Sequence, residues 1–208
     1  MTQASITYEG VYGPYTVTPG HRREVLAYRL ALLVLALAQG AALLQWQRWG
    51  AAWCWPWLLV MVLALGAALR WVHIYLKPLH QALQLFWLLG SLGLAALAWR
   101  QGAAQILPTL VAQPLWIWAV GPFFAALAGL GFKEFFCFQR PEAIGITLLL
   151  PLLLLGWLSG LLPPAAAAAL LAGEALLLLL LALRKFPMPA EADLGDLSVF
   201  AHLQESPR

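Results

Sequence analysis

Residues 143–183 read AIGITLLLPLLLLGWLSGLLPPAAAAALLAGEALLLLLLAL, and their length decides the fold. One helix of about 40 residues would run about 60 Å at 1.5 Å per residue, twice the hydrocarbon thickness of a bilayer. Pro163-Pro164 stands near the middle, where proline removes a backbone donor and clashes with the preceding turn. The stretch is therefore expected to be two membrane spans, 143–162 and 165–183, folded back on each other as a tight hairpin.

Working outward toward the N-terminus, four more apolar segments reach a spanning length, at 26–44, 52–69, 82–98 and 114–132. The composition agrees with this. Of 208 residues 62% are hydrophobic and 10% charged, against about 25% charged in soluble domains. No room remains for a second, soluble domain. The expected fold class is an all-α polytopic membrane helix bundle with six transmembrane helices: a segment 1–25, a six-span domain 26–183, and a tail 184–208.

Charge then orients the bundle. With six spans, Arg22, Arg23, Arg29, Arg70, Lys77, Lys133, Arg140, Arg184, Lys185 and Arg208 share one face, and only Arg48 and Arg100 fall on the other. Under the positive-inside rule both termini are cytoplasmic, N-in and C-in. The net charge of +3 thus reads as a topology signal and not as a nucleic-acid footprint; the expected surroundings are the lipid bilayer and a membrane-protein partner, with no nucleic acid. Most acidic residues, including Glu24, Glu134, Glu142, Glu191, Asp193 and Asp196, are also on the inner side. Since acids barely influence insertion, this bias points to the inner face as the place for polar chemistry. The outer side holds Trp46, Trp49, Trp53, Trp55 and Trp57, an aromatic belt at headgroup level, and a loop at 100–113 expected to lie flat. Cys54 and Cys137 fall on opposite faces, which argues against a disulfide.

The first 20 residues contain no basic region leading into an apolar core, so the first hydrophobic helix is expected to be a retained anchor. Alternation around Gly10 and Gly13-Pro14 suggests a short hairpin, and Thr18-Pro19 offers an N-cap with proline at the first helical position. At the other end, RKFPMPAEADLGD is expected to be extended. Asp196 could cap a short helix setting Leu197, Val199, Phe200 and Leu203 against the membrane or a partner.

Two inner loops gather chemistry-bearing residues. RWVHIYLKPLHQALQLFW places His73 and His80 seven residues apart, with Pro78 interrupting the helix between them; GFKEFFCFQRPEA places Lys133, Glu134, Cys137 and Arg140 at one depth, with Glu134 and Cys137 one turn apart. Imidazole, carboxylate and thiolate suit a transition metal or a tetrapyrrole, so His73, His80, Glu134 and Cys137 are weak metal candidates, though no ligand pair has a zinc-type spacing. The plainer reading has Glu134 paired with Lys133 or Arg140 and Cys137 as an apolar filler. The pattern requires no cofactor. Glu174 stands in the middle of the sixth span, where a charged carboxylate costs several kcal/mol, so it is expected to be neutral, paired or facing a polar cavity; it is the candidate for transport or a proton relay. Gly156 and Gly160 form a GxxxG pattern, and Gly90, Ser91, Gly93, Gly129 and Gly131 offer close helix approaches. Pro122 and Pro151 are expected to kink their spans. No catalytic triad, P-loop, HExxH or GxGxxG is present.

The blocks GPYTVTPGHRREVLAYR, HIYLKPLHQALQLFWLLG, FFAALAGLGFKEFFCFQRPEA, LLPLLLLGWLSGLLP and ALRKF with GDLSVFAHL together resemble the DUF2301 integral membrane proteins of cyanobacteria. The resemblance covers nearly the whole chain. It implies a cyanobacterial plasma or thylakoid membrane and supplies no mechanism. Where this chain has Trp157 the family often has histidine, and Glu174 is not expected as a family feature. The matching blocks concentrate on Arg22, Arg23 and Glu24, on His73 to His80, and on Lys133 to Glu142. The expected function is non-enzymatic, with an inner face that docks partners during assembly or maintenance of membrane complexes; the alternatives are a small-solute or ion transporter and a metal- or haem-binding membrane protein.

Overall fold

Proline sets most of the helix starts. In a computed structural model that describes residues 5–205, α1 (Pro19–Trp49), α2 (Trp55–Trp71) and α3 (Lys77–Gln101) each carry proline at the first or second helical position. So do α6 (Pro141–Leu158) and α7 (Pro164–Lys185), where the missing N–H is one that a helix leaves unpaired in any case. Pro78 therefore starts α3 and does not bend it, which leaves His73 in the connecting loop and His80 on the helix. The remaining elements are α4 (Ile106–Ala112) and α5 (Ile117–Phe138), and after α7 the short helices α8 (Ala190–Leu194) and α9 (Leu197–Glu205).

The long helices pack in sequence order as a ring. α1 lies on α2, α2 on α3, α3 on α5, α5 on α6 and α6 on α7, and α7 closes against α1. The 143–183 stretch is indeed two helices packed on each other, with the chain turning between Leu158 and Pro164. Among the described residues five helices are long and apolar enough to cross a membrane: α1, α3, the run Pro114–Phe138, α6 and α7. α2 has 17 residues, or about 26 Å at 1.5 Å per residue, at the short end of what a bilayer requires. Five of these helices turn leucines outward, among them Leu37, Leu63, Leu92, Leu155 and Leu176, all more than half exposed, and α5 turns out Trp118, Phe132 and Phe136. An apolar surface of that extent suits lipid and not water.

Small residues set the spacing of the ring, though not all as expected. A side chain at Gly90 or Gly93 would run into the backbone of Phe123 or Ala119, and one at Gly129 into Leu83, so α3 and α5 approach at glycine distance. The GxxxG reading of Gly156 and Gly160 is corrected. Gly160 lies beyond the end of α6 with φ 69°, and the amides of Leu161 and Leu162 both return to the Gly156 carbonyl at 3.1 Å. These residues end a helix; they do not form a packing face. Pro122 and Pro151 lie inside α5 and α6.

A small cap closes one end of the ring. Strands β1 (Ile6–Gly10) and β2 (Gly13–Val17) pair antiparallel, Ile6 opposite Val17 and Gly10 opposite Gly13. The hairpin leads directly into the N-cap, where the Thr18 hydroxyl accepts from the His21 amide at 3.3 Å and the His21 ring faces the Thr18 amide at 3.4 Å. The tail expected to be extended instead forms α8, because Asp193 and Leu194 are buried against α1 and need a helical turn to reach it. Val17, Val25 and Leu194 make a second, minor core beneath Tyr8, Tyr15 and Leu197. The main core runs through the ring, with Leu32, Leu65, Leu97, Leu127 and Ile146 fully enclosed. The 100–113 loop folds into a 3-10 turn at Ala103–Gln105 and α4, burying Ile106 and Thr109. Arg208, counted among the inner-face charges, lies outside the described residues.

Candidate functional site

The capped end holds the start of α1, the ends of α2, α5 and α7, and the starts of α3 and α6. Five ionic side chains meet in its interior. The Arg29 guanidinium bonds Asp193 through Nε at 2.8 Å and Nη2 at 2.7 Å, and spends its other donors on the carbonyls of Met188 and Pro189 at 2.8 and 3.0 Å. Lys185 pairs with both Asp193 and, at 2.6 Å, Glu134. Glu134 further receives Lys133 at 3.0 Å and the Tyr28 hydroxyl at 2.6 Å. None of the five side chains is more than 8% exposed. Phe138 and Tyr28 cover the ammonium groups, with Lys185 Nζ 4.2 Å and 5.4 Å from their ring centres. Ions enclosed this way hold each other in place, since leaving one of them unpaired in an apolar interior costs several kcal/mol.

Glu142 anchors a second ionic group, 1% exposed, with Arg184 at 3.0 Å and Arg140 at 3.7 Å. Arg22 pairs with Glu191 at 3.3 Å, tying α1 to α8, while Arg23 is exposed. Glu24 lies 3.6 Å from His73. Burial holds the His73 imidazole below its ordinary range, against the opposing pull of the Glu24 carboxylate. Tyr75 and His73 pack on Phe200 of α9, and burial raises the Tyr75 hydroxyl.

Of the four residues weighed as metal ligands, His73 and Cys137 line one cavity with Lys133 and Asp193. His80 instead faces the Leu69 carbonyl at 2.7 Å, satisfying the open end of α2, and Gln84 at 3.2 Å. Glu134 is committed to two lysines and a tyrosine. Among the described residues no group of three or more His, Cys, Asp or Glu side chains could hold a metal ion. Glu174 is fully buried, and the Gln39 amide of α1 donates to its Oε2; the other oxygens of both groups, Gln39 Oε1 and Glu174 Oε1, lack a partner among the described residues.

Sequence reasoning missed Tyr28, Lys185, Asp193 and Gln39 as site members, and used Arg29 only as a topology marker. Two signals were available for them. Arg29 and Gln39 are polar residues inside an apolar segment, which the membrane tolerates only with a partner. Asp193 stands among small and apolar residues eight positions after Lys185, and nothing local predicts that they meet.

A ring of leucine-faced helices with its ions collected at one end defines an integral membrane protein that crosses the bilayer several times. Residues 67–202 match the family model described as "Uncharacterized integral membrane protein (DUF2301)". The chain belongs to that family. Searches of curated proteins and of solved structures returned no significant match.

Proposed function

We propose that this chain is a six-span protein with both termini cytoplasmic, and that it acts without catalysis as a docking element for another membrane protein during assembly or maintenance of a membrane complex. Its setting in this reading is a cyanobacterial plasma or thylakoid membrane, with residues 1–25 and 184–208 flanking the membrane domain on the cytoplasmic side. The observation that carries the reading is the cap. Its halves come from opposite ends of the chain, yet Asp196 accepts from the Val11 amide at 2.7 Å and the Ser198 hydroxyl from the Tyr12 amide at 3.1 Å. The hairpin tip is thereby held rigid and apolar, with Val11 79% and Tyr12 56% exposed and Tyr12 stacked on His202 at 3.9 Å. A preformed aromatic surface of this kind binds with little ordering cost. The basic residues at this end, against Arg48 and Arg100 at the other, support a cytoplasmic cap.

Mild-detergent pulldown from native membranes tests the docking reading. A stoichiometric membrane protein that is lost on Tyr12→Ser and Val11→Ser substitution is the expected result, and recovery of the chain alone would end it. Labelling single cysteines at positions 12, 77 and 103 tests the topology: 12 and 77 should react from the cytoplasmic side and 103 from the other.

A second reading, a transporter of a small solute or ion, is favoured by one observation, the Glu174–Gln39 pair with two unpartnered oxygens at mid-depth. Solute flux into liposomes that disappears in Glu174→Leu would support it; flux unchanged by the substitution would remove it.

A further inference from the structure

Between the start of α3 and the end of α5 lies a cavity of 630 Å³, within the range of small-molecule sites, which run about 300 to 1,000 Å³. Its mouth is apolar and faces outward from the ring. Leu76, Phe132 and Phe136 line it and are 64%, 45% and 76% exposed, which in a spanning protein puts them against acyl chains. Its floor is ionic, where Lys133 and Asp193 meet the buried network.

Among the described residues that network does not balance. Arg29, Lys133 and Lys185 bring three positive charges, and Glu134 and Asp193 bring two negative ones. Glu24 approaches from outside but is 47% exposed, so water screens it from the interior. The surplus is localised by the hydrogen bonds. Asp193 is shared by Arg29 and Lys185, and Glu134 by both lysines and Tyr28. Lys133, 5% exposed, has three N–H donors and, among the described residues, one hydrogen-bond partner, Glu134; the Tyr28 and Phe138 ring centres lie 5.6 and 5.5 Å from its ammonium and offer no acceptor atom. A buried ammonium with two donors lacking a hydrogen-bond acceptor, on the wall of a cavity whose mouth is apolar, calls for a ligand with one negative charge and a hydrocarbon part.

We propose that this cavity binds one anionic phospholipid, its phosphodiester at Lys133 and the first part of an acyl chain along Leu76, Leu79, Phe132 and Phe136. A phosphodiester carries a single charge and accepts the two free donors, which completes both the charge balance and the hydrogen bonding. Basic pockets between spanning helices recognise lipid headgroups by this chemistry. The lipid would seat beside the cap without covering the hairpin tip, so the site goes beyond the docking surface and does not depend on it.

The full chain in mild detergent provides the test, by native mass spectrometry and thermal unfolding with phosphatidylglycerol, with phosphatidylcholine of the same chains, and with inorganic phosphate. Phosphatidylglycerol is expected to bind about fivefold or more tighter than phosphatidylcholine, the worth of one lysine against lipid charge near a membrane surface. Inorganic phosphate should leave unfolding unchanged. Lys133→Gln should erase the preference between the two lipids, and Cys137→Trp, which puts an indole into the cavity one turn along α5 from Lys133 without altering an ionic group, should abolish binding of both. Should Lys133→Gln fail to fold, Cys137→Trp decides alone. Equal binding of the two lipids to the unmodified chain would overturn the proposal. So would a lipid preference that survives Cys137→Trp, or equal protection by inorganic phosphate, which would make this a bare-anion site.

Discussion

The Tyr28 hydroxyl donates to Glu134 at 2.6 Å across 106 residues of sequence. It joins α1 to α5, which are not packing neighbours in the ring, and so spans the interior of the capped end. Glu134 is there the common acceptor of two lysines and a phenol, and the integrity of that end depends on it. Glu134→Gln leaves Lys133 and Lys185 without their shared counter-charge and is expected to destabilise the chain by about 3–5 kcal/mol. Tyr28→Phe removes one hydrogen bond to a charged group and should cost about 1.5–3 kcal/mol. Reversible unfolding in mixed detergent micelles checks both values and, more securely, their order.

Glycine spacing between α3 and α5 yields a sharper contrast. A methyl at Gly90 meets the Phe123 backbone, which cannot rotate away, whereas a methyl at Gly173 meets nothing within 4 Å. Gly90→Ala should lower stability by about 1–3 kcal/mol, and Gly173→Ala should leave it unchanged or raise it by up to about 1 kcal/mol. The same unfolding assay separates them, and equal effects would contradict the packing described for α3 and α5.

For the mid-membrane pair the expectation concerns chemistry in place of charge. Glu174→Gln keeps a group able to exchange hydrogen bonds with Gln39 and should change stability by less than about 1 kcal/mol. Glu174→Leu strands the Gln39 amide in an apolar interior, and a loss of about 1–3 kcal/mol is expected. Restoring stability with Gln39→Leu in the Glu174→Leu background would confirm that the loss belongs to the stranded amide.

The docking of α9 on the hairpin should depend on acid through Asp196. The Ser198 hydroxyl, then the Val11 amide, hold its carboxyl below the ordinary value of 3.8. The folded form therefore binds fewer protons than the unfolded one just below that pH. The contact is fully present above about pH 4 and is lost as pH falls through the depressed folded value. Hydrogen exchange of the α9 amides should accelerate on that acid limb in the unmodified chain, while in Asp196→Asn the limb should be absent.

His73 titrates with the same sign for a different reason. Burial keeps its folded value below 6.5, with Lys133 and His21 acting in the same direction and Glu24 and Asp193 opposing. The loop it anchors thus keeps full stability above about pH 6.5 and loses it as pH falls through the folded value. At pH 7 the imidazole is neutral and its 3.6 Å approach to Glu24 is a weak contact, so Glu24→Gln should cost less than about 0.5 kcal/mol. Ring-carbon NMR shifts of His73 across pH 5 to 8 report its protonation, and a cationic ring at pH 7 would refute this account.

The helical ring was legible in the residues because the bilayer imposes a length and apolarity that composition records directly. Five of the long segments, the break at Pro163-Pro164, the Thr18 cap, the hairpin and the Asp196 cap of α9 all follow from local chemistry: a proline that cannot donate, a hydroxyl that can accept, an alternation of polar and apolar residues. The 17 residues of α2 stay at the margin for the same reason, since length alone is what the pattern supplies.

The capped site was legible only in pieces. Lys133, Glu134 and Glu142 stand out as charges at span ends, and the loop that carries His73 does meet Lys133 there. Their partners do not stand out. Tyr28 reads as one more apolar residue of α1, Asp193 as part of a polar tail, and Gln39 as an isolated amide, and none carries a mark of whom it will pair with. What the sequence by itself determined was which segments enter the membrane and which residues stay at their ends, because solvation acts on each segment separately. Tertiary structure alone decided that Arg29, Lys185 and Asp193 close over Glu134 and Lys133, and that one lysine remains short of acceptors. Ion pairs between helices depend on where the ring brings their side chains, and that position is a property of all six helices together.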